Sequence, residues 1–335
     1  MITFTRKHIQ RLVLVALVCF AAVVHADEPA PSLLAGKRVL WLGDSITQDG
    51  KFVSFVEYYL EKQFPEQNFD FISLGLASET VSGLSEKAHP FLRPCVFDRL
   101  QRALDLTKPA TVIACYGMND GIYHPQSAER MKAFQEGIRR LSGAVQGSGA
   151  QLILLTPPPF DPLPVVARLR PADAPDFSYR APYTNYDDVL GDYAKWEMSL
   201  PVDEVKVAVD LHSALSKYIA AQREKSPRFG FAKDSIHPSP AGHLLMALTF
   251  LNAVGVKIEV ADLAAEVARL NADPWFQLIR QRRERRAGGW LDYVGYTRDR
   301  TVKRDSVDQT EKIIAAMQEK IDDLRKSPTI PENIK

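Results

Sequence analysis

Short, continuous apolar runs recur along the chain at Arg38 to Leu42, Phe69 to Leu74, Ala110 to Tyr116, Gln151 to Thr156 and Val205 to Asp210. None alternates apolar with polar positions as a strand with one wet face does, so each predicts a strand buried on both sides, as in a parallel sheet. Between them the apolar residues change to helical spacing: Phe52, Val53, Val56, Tyr59, Leu60 and Phe64 in one segment, and Met131, Phe134, Ile138 and Leu141 in another. Each set lies on one helix face and predicts a helix laid on a sheet. Strands alternating with helices give an α/β layered fold, and its loops after the strand ends gather on one edge where chemistry is expected.

Two regions depart from this alternation. From Pro157 to Pro182 the chain is rich in proline, includes Pro157-Pro158-Pro159 and holds no sustained period, which reads as an ordered loop over the active edge. Its Phe160, Phe177, Tyr179, and the nearby Tyr183 and Tyr186, are expected to pin the loop to the body more than to form a substrate platform. Beyond Val254 come a short amphipathic segment at Leu263, Val267 and Leu270, an Arg-rich stretch between Trp275 and Trp290, and a polar helix from about Val307 to Leu324. These predict a C-terminal helical extension, residues 256–335, outside a core domain of residues 37–255. The run from Arg280 to Arg286 is expected to be a solvated helix face.

Composition adds little beyond class: 335 residues with 46% hydrophobic and 25% charged content describe a globular protein with a sizeable core. The amino end is more informative. Arg6, Lys7 and Arg11 precede the apolar run Leu12 to Val24, and Val24-His25-Ala26 places small residues where a signal peptidase cuts. A signal peptide of residues 1–26 is expected, with the mature protein periplasmic or secreted, because the apolar run is shorter than the roughly 20 residues a bilayer span requires. Cys19 follows Val18 rather than a small residue, which argues against a lipid-attachment site. Cleavage removes three positive charges and no negative ones, taking the formal net charge from +1 to −2. That balance points to no nucleic-acid partner, and with the short apolar run cleaved off no stable membrane insertion is expected. Cys95 and Cys115 remain; an oxidising compartment permits a disulfide between them, and the apolar setting of Cys115 equally suits an inert core thiol.

The candidate chemistry stands where the predicted strands end. After the first, Gly43-Asp44-Ser45-Ile46-Thr47 puts the Ser45 hydroxyl at a strand-to-helix turn, where backbone N–H groups are offered; a serine N-cap would look similar. After the second, Gly75 lets a substrate oxygen approach a backbone N–H. After the third, Gly117-Met118-Asn119-Asp120 supplies the Asn119 carboxamide as a donor. Late in the chain Asp234-Ser235-Ile236-His237 sets a carboxylate three residues before an imidazole, so that one turn of loop lets Asp234 receive the Nδ1 proton of His237 and aims Nε2 outward. Ser239-Pro240 then reads as the cap and first residue of a helix. Together these supply a nucleophile, oxyanion donors, a base and its orienting acid.

With these four blocks the sequence resembles the SGNH/GDSL hydrolases over about residues 37 to 255. The resemblance implies a flavodoxin-like three-layer α/β/α sandwich around a five-stranded parallel sheet. It implies Ser45 as nucleophile, His237 as base and Asp234 as its partner, with the Ser45 N–H, the Gly75 N–H and the Asn119 side chain as oxyanion hole, and Asp44 and Asp120 in structural roles. The commoner family pattern has a second glycine three residues after Gly75, where this chain has Ser78. The expected reaction is ester hydrolysis through an acyl-enzyme, without metal or organic cofactor; His237 and His243 lack the spacing of a zinc-binding helix. The resemblance to exported members points to an acetylated saccharide as substrate. A lysophospholipase or short-chain lipid esterase, an envelope polysaccharide O-acetyltransferase, and a non-catalytic carbohydrate-binding protein are the alternatives.

Overall fold

A computed structural model of the chain describes residues 31–295 and 305–326; the expected signal peptide, residues 1–26, lies outside the described residues. The elements run β1 (Arg38–Gly43), α1 (Ser45–Asp49), α2 (Lys51–Gln63), β2 (Asp70–Ser73), α3 (Leu100–Thr107), β3 (Thr111–Cys115), α4 (Ala128–Gly147), β4 (Gln151–Leu155), α5 (Tyr186–Glu197), β5 (Val207–Val209), α6 (Leu211–Lys225), α7 (Pro240–Ala253), α8 (Leu263–Ala272), α9 (Pro274–Val294) and α10 (Val307–Lys326). The five strands pair in the order β2-β1-β3-β4-β5, all parallel, with Val39 opposite Thr111 and Thr111 opposite Gln151. These are the five parallel strands that the apolar runs predict, in the doubly wound, flavodoxin-like arrangement that the resemblance implies. The order reverses between β1 and β3, so the crevice at their carboxyl ends is the natural place for a ligand.

The strands are buried because helices cover both faces. On one face Trp41 of β1 meets Phe52 of α2 and Phe250 of α7, with ring centroids 5.5 and 5.2 Å apart. Elsewhere Phe134 of α4 stacks on Tyr193 of α5 at 4.1 Å. Helix α2 is buried continuously from Phe52 to Glu61, not on one face alone, because the C-terminal helices cover the side turned away from the sheet. There α9 stacks Phe276 on Phe55 at 5.0 Å, and the apolar residues of α8 and α9, with Ile321 of α10, continue the main core.

The Arg-rich run therefore differs from its expected solvated state. Arg280 and Arg285 face outward, but Arg282 and Arg283 are buried. Arg282 reaches Glu57 and Glu61 of α2 at 3.0 and 2.5 Å, and Arg286 pairs with Asp70 at 2.6 Å and Glu311 at 2.9 Å. A buried guanidinium is tolerated only where carboxylates and carbonyls satisfy it, and these partners lie on distant elements. The proline-rich loop is ordered and includes a short 3₁₀ segment, Leu163–Arg168. Its aromatics pin it: Phe160 packs on Tyr186 and Tyr123, and Phe177 on Tyr183. Cys95 and Cys115 stand free, the latter buried at the end of β3. Among the described residues no helix is long and apolar enough to cross a membrane.

Candidate active site

The turn after β1 carries Ser45 into the first position of α1. Asp44 caps that helix, its carboxylate accepting the Ile46 N–H at 2.9 Å, so the cap role belongs to Asp44 and leaves the serine hydroxyl free to face outward. Ser45 Oγ lies 2.7 Å from His237 Nε2, and His237 Nδ1 lies 2.6 Å from Asp234 Oδ2. The second carboxylate oxygen of Asp234 accepts the backbone N–H groups of Ile236 and His237 at 3.1 and 2.9 Å. The loop achieves this by placing Ser235, a buried residue between them, at φ 77°, a left-handed conformation that costs a non-glycine residue energy and is held here by its surroundings.

Charge follows the geometry. The hydrogen bond to Asp234 raises the His237 imidazole above its ordinary 6.5, outweighing partial burial. Partial burial pushes the Asp234 carboxyl up, but the bonds from the His237 ring and amide bring it down to about 2. Burial pushes Asp44 up to about 7 despite its bond from Ile46. A histidine raised above its ordinary value between a carboxylate and a hydroxyl is the arrangement that withdraws a serine proton.

Gly75 lies directly beside α1. A Cβ there would fall 2.2 Å from the Gln48 nitrogen and 2.4 Å from the Thr47 carbonyl carbon, so only glycine permits the loop and the helix to meet. Gln48 fixes the contact further, its Oε1 accepting the Ala77 N–H at 2.9 Å. Where the commoner pattern has its second glycine, Ser78 adopts φ 68°, the conformation that glycine would take without cost.

Asn119 is buried, its amide donating to the Glu79 carbonyl at 3.2 Å and toward Asp44 at 3.4 Å, while its Oδ1 accepts the Tyr123 hydroxyl at 3.1 Å. The longer contact to Asp44 leaves one amide hydrogen weakly engaged beside the Ser45 turn. Asp120, wholly buried, accepts the N–H groups of Val81, Ser82 and Gly117, each at 2.8 Å, and ties the second block to the third.

Several supporting residues were not apparent from sequence. Glu79 is buried with Arg99 at 2.6 Å and accepts the Tyr116 hydroxyl at 2.7 Å beneath Asn119. Tyr186 stacks on Tyr123 and donates to the Met118 carbonyl at 2.9 Å. Asp161, in the proline-rich loop, donates its N–H to the Ser235 carbonyl at 3.0 Å, and its buried carboxylate accepts from Arg223 at 2.5 Å and from the Phe231 N–H at 3.0 Å. An aspartate inside a proline-rich loop was the one signal available for it. Two cavities of about 200 and 190 Å³ lie elsewhere, between β2 and the C-terminal helices and at the α9–α10 junction. Among the described residues no group of three or more His, Cys, Asp or Glu is placed to hold a metal ion.

A model of the GDSL-like lipase/acylhydrolase family matches residues 41–245, from within β1 into α7, and so takes in all five candidate residues. No curated protein matches the chain. Among solved structures the chain is similar to a gut microbial diltiazem-metabolizing enzyme, at 19% identity and TM-score 0.49, covering 66% of this chain and 47% of that one, about half its length. It is also similar to a catalytic mutant of an acetylxylan esterase from Geobacillus stearothermophilus, at 20% identity, TM-score 0.48 and coverage of 67% and 96%. An alpha/beta hydrolase from the metagenome of Lake Arreo, Spain, stands at 22%, 0.47, and 68% and 98%. With the family match extending over more than half of its length, the chain belongs to the GDSL-like lipase/acylhydrolase family and is an ester hydrolase.

Proposed function

We propose that the chain is an exported serine esterase that removes acetyl groups from a saccharide through an acyl-Ser45 intermediate. The observation that carries this reading is the unbroken line Asp234–His237–Ser45, with contacts of 2.6 and 2.7 Å. Ser45 Oγ attacks the ester carbonyl while His237 Nε2 takes its proton, and Asp234 stabilises the imidazolium that forms. The carbonyl oxygen, now an oxyanion, is received by the Ser45 and Gly75 N–H groups and by the Asn119 amide, which turns from Asp44 to meet it. His237 then returns the proton to the departing sugar hydroxyl. In the second half-reaction the same nitrogen deprotonates water, which attacks the acyl carbon and releases acetate and free serine.

What supports a saccharide is the openness of the site: the His237 and Asp234 side chains are 41% and 52% exposed, so a bulky, hydrated leaving group has room at the rim. Export is supported by the basic start, the apolar run and the Val24-His25-Ala26 site, and amino-terminal sequencing of the mature protein is expected to begin at Asp27. The catalytic reading is tested with p-nitrophenyl acetate and longer acyl esters, run beside Ser45→Ala, and with acetate release from acetylated polysaccharide. Turnover selective for acetyl and lost in Ser45→Ala is expected. A preference for long chains would replace the saccharide by a lipid, and activity unchanged in Ser45→Ala would remove Ser45 as nucleophile.

A further inference from the structure

Helix α1 is a single turn, and both of its ends are under control. At the start Asp44 caps it. At the end Gly50 closes it at φ 64°, its N–H bonded to the Ile46 carbonyl at 3.1 Å, which leaves the last carbonyls to find partners elsewhere. The partner of the Asp49 carbonyl comes from α9, beyond the residues 41–245 that the family model matches. Arg283 Nη2 donates to Asp49 O at 2.8 Å, and Arg283 Nε donates to Ser54 Oγ, one turn into α2, at 2.9 Å. The guanidinium is buried, with 4% of the residue exposed, and a Cβ on Gly50 would fall 2.2 Å from its Nη1. Arg283 thus fills the space against the α1–α2 turn and holds both sides of it.

The beam that carries Arg283 is itself fixed to the body. One residue earlier Arg282 is tied to Glu57 and Glu61, and nearer the start of α9 Phe276 stacks on Phe55. Ser45 and Asp49 are the two ends of the α1 turn, about 6 Å apart along the helix axis, so a tilt at one end moves the other. A hydroxyl that must stay within hydrogen-bond reach of His237 tolerates little such movement, since a misplacement of about 1 Å can cost about 100-fold in rate.

We infer that Arg283 is a positioning residue for the nucleophile turn, and that the C-terminal helices complete the active-site scaffold of this chain rather than accompany it. The inference rests on Ser45 being the nucleophile. It assigns a role in the site to α9, which lies beyond the matched residues 41–245.

The test uses the full-length protein and its Arg283→Met, Arg283→Lys, Ser54→Ala and Ser45→Ala variants. For each, thermal unfolding, kcat and KM on p-nitrophenyl acetate, and the second-order rate of serine modification by diisopropyl fluorophosphate are measured. Arg283→Met is expected to fold with a lowered Tm and to lose about 10- to 100-fold in kcat, with KM within about twofold, because the substrate is bound but the hydroxyl is displaced. Modification by the fluorophosphate should slow in the same proportion. Arg283→Lys should recover part of the rate, and Ser54→Ala, which frees one side of the guanidinium, should lose a few-fold.

A folded Arg283→Met with kcat within about twofold of the parent overturns the inference, whatever its Tm, because it makes Arg283 a stabilising contact alone. Should Arg283→Met fail to fold, Ser54→Ala decides: a few-fold loss of kcat supports the inference and an unchanged kcat overturns it. Ser45→Ala separates the two levels. Activity surviving in it removes the nucleophile reading, whereas its inactivity beside a fully active Arg283→Met removes only the role of Arg283.

Discussion

Asp234 grips His237 at two points, accepting its backbone N–H at 2.9 Å through one oxygen and meeting its Nδ1 at 2.6 Å through the other. The ring and the loop that carries it are therefore set by the same carboxylate. One side chain fixes the tautomer, the orientation and the proton affinity of the proposed base.

The pH profile follows from that grip. In the proposed mechanism the base must be neutral, and the bond to Asp234 raises His237 above its ordinary value of 6.5. The acidic limb of kcat/KM is expected to rise with a midpoint above 6.5. Asp234→Asn removes the charge that raises it, so the midpoint should move to lower pH while kcat falls by about 100-fold or more, the wrong ring nitrogen now carrying the proton. A profile of kcat/KM against pH for both proteins checks this, and an unmoved limb would break the assignment.

Asp161 is expected to matter to rate as well as to stability. Its carboxylate satisfies Arg223 and the Phe231 N–H, and its amide holds the carbonyl of strained Ser235. Asp161→Ala leaves these donors, and the Leu163 N–H that also bonds to the carboxylate, without their partner, at a cost of about 1–3 kcal/mol each before relaxation, and loosens the loop on which His237 stands. Tm and kcat should both fall while KM changes little. A lowered Tm with kcat intact would confine Asp161 to stability.

At Ser78 the expected change has the opposite sign. The residue holds φ 68° at a position where glycine is free to do so. Ser78→Gly should gain up to about 1 kcal/mol, relief of the left-handed conformation exceeding the extra freedom given to the unfolded chain. Chemical denaturation of the two proteins measures it; a loss would mean that the serine hydroxyl is worth more than the strain.

Glu197 offers a stability test independent of the site. It is fully buried in α5, neither carboxylate oxygen has a hydrogen-bond partner among the described residues, and burial raises its pKa well above the ordinary 4.5. The folded state thus keeps the proton that the unfolded chain gives up as pH rises past about 4.5, so this group's contribution declines from there upward. Glu197→Met removes both the proton and the unsatisfied oxygens. It is expected to raise Tm at pH 8 and to change it much less at pH 5. An equal effect at both values would show that the carboxyl is not the cause.

The sheet was legible in the sequence because strands buried on both faces must be apolar throughout, and the five runs match the five observed strands to within about two residues at each end. The candidate residues were legible for a related reason: each stands directly after a strand or before a helix, and parallel topology gathers such positions on one edge. What remained hidden depends on partners far along the chain. Nothing near Arg282 and Arg283 indicates that they turn inward, since the carboxylates that receive Arg282 belong to α2. Nor does any local pattern indicate that Asp161 would reach the His237 loop, or that Ser78 and Ser235 would take positive φ.

The joint between α2 and α9 also sets an order of events during synthesis. Glu61 leaves the ribosome 221 residues before Arg282, and the Asp49 carbonyl 234 residues before Arg283. Until that late segment arrives, α2 exposes an apolar and acidic surface with nothing to cover it, and contacts of such long sequence separation are slow to close. The first helices of the domain therefore reach their final packing last, and a chain cut short before α9 would be left with the beginning of its fold, not merely its end, unfinished.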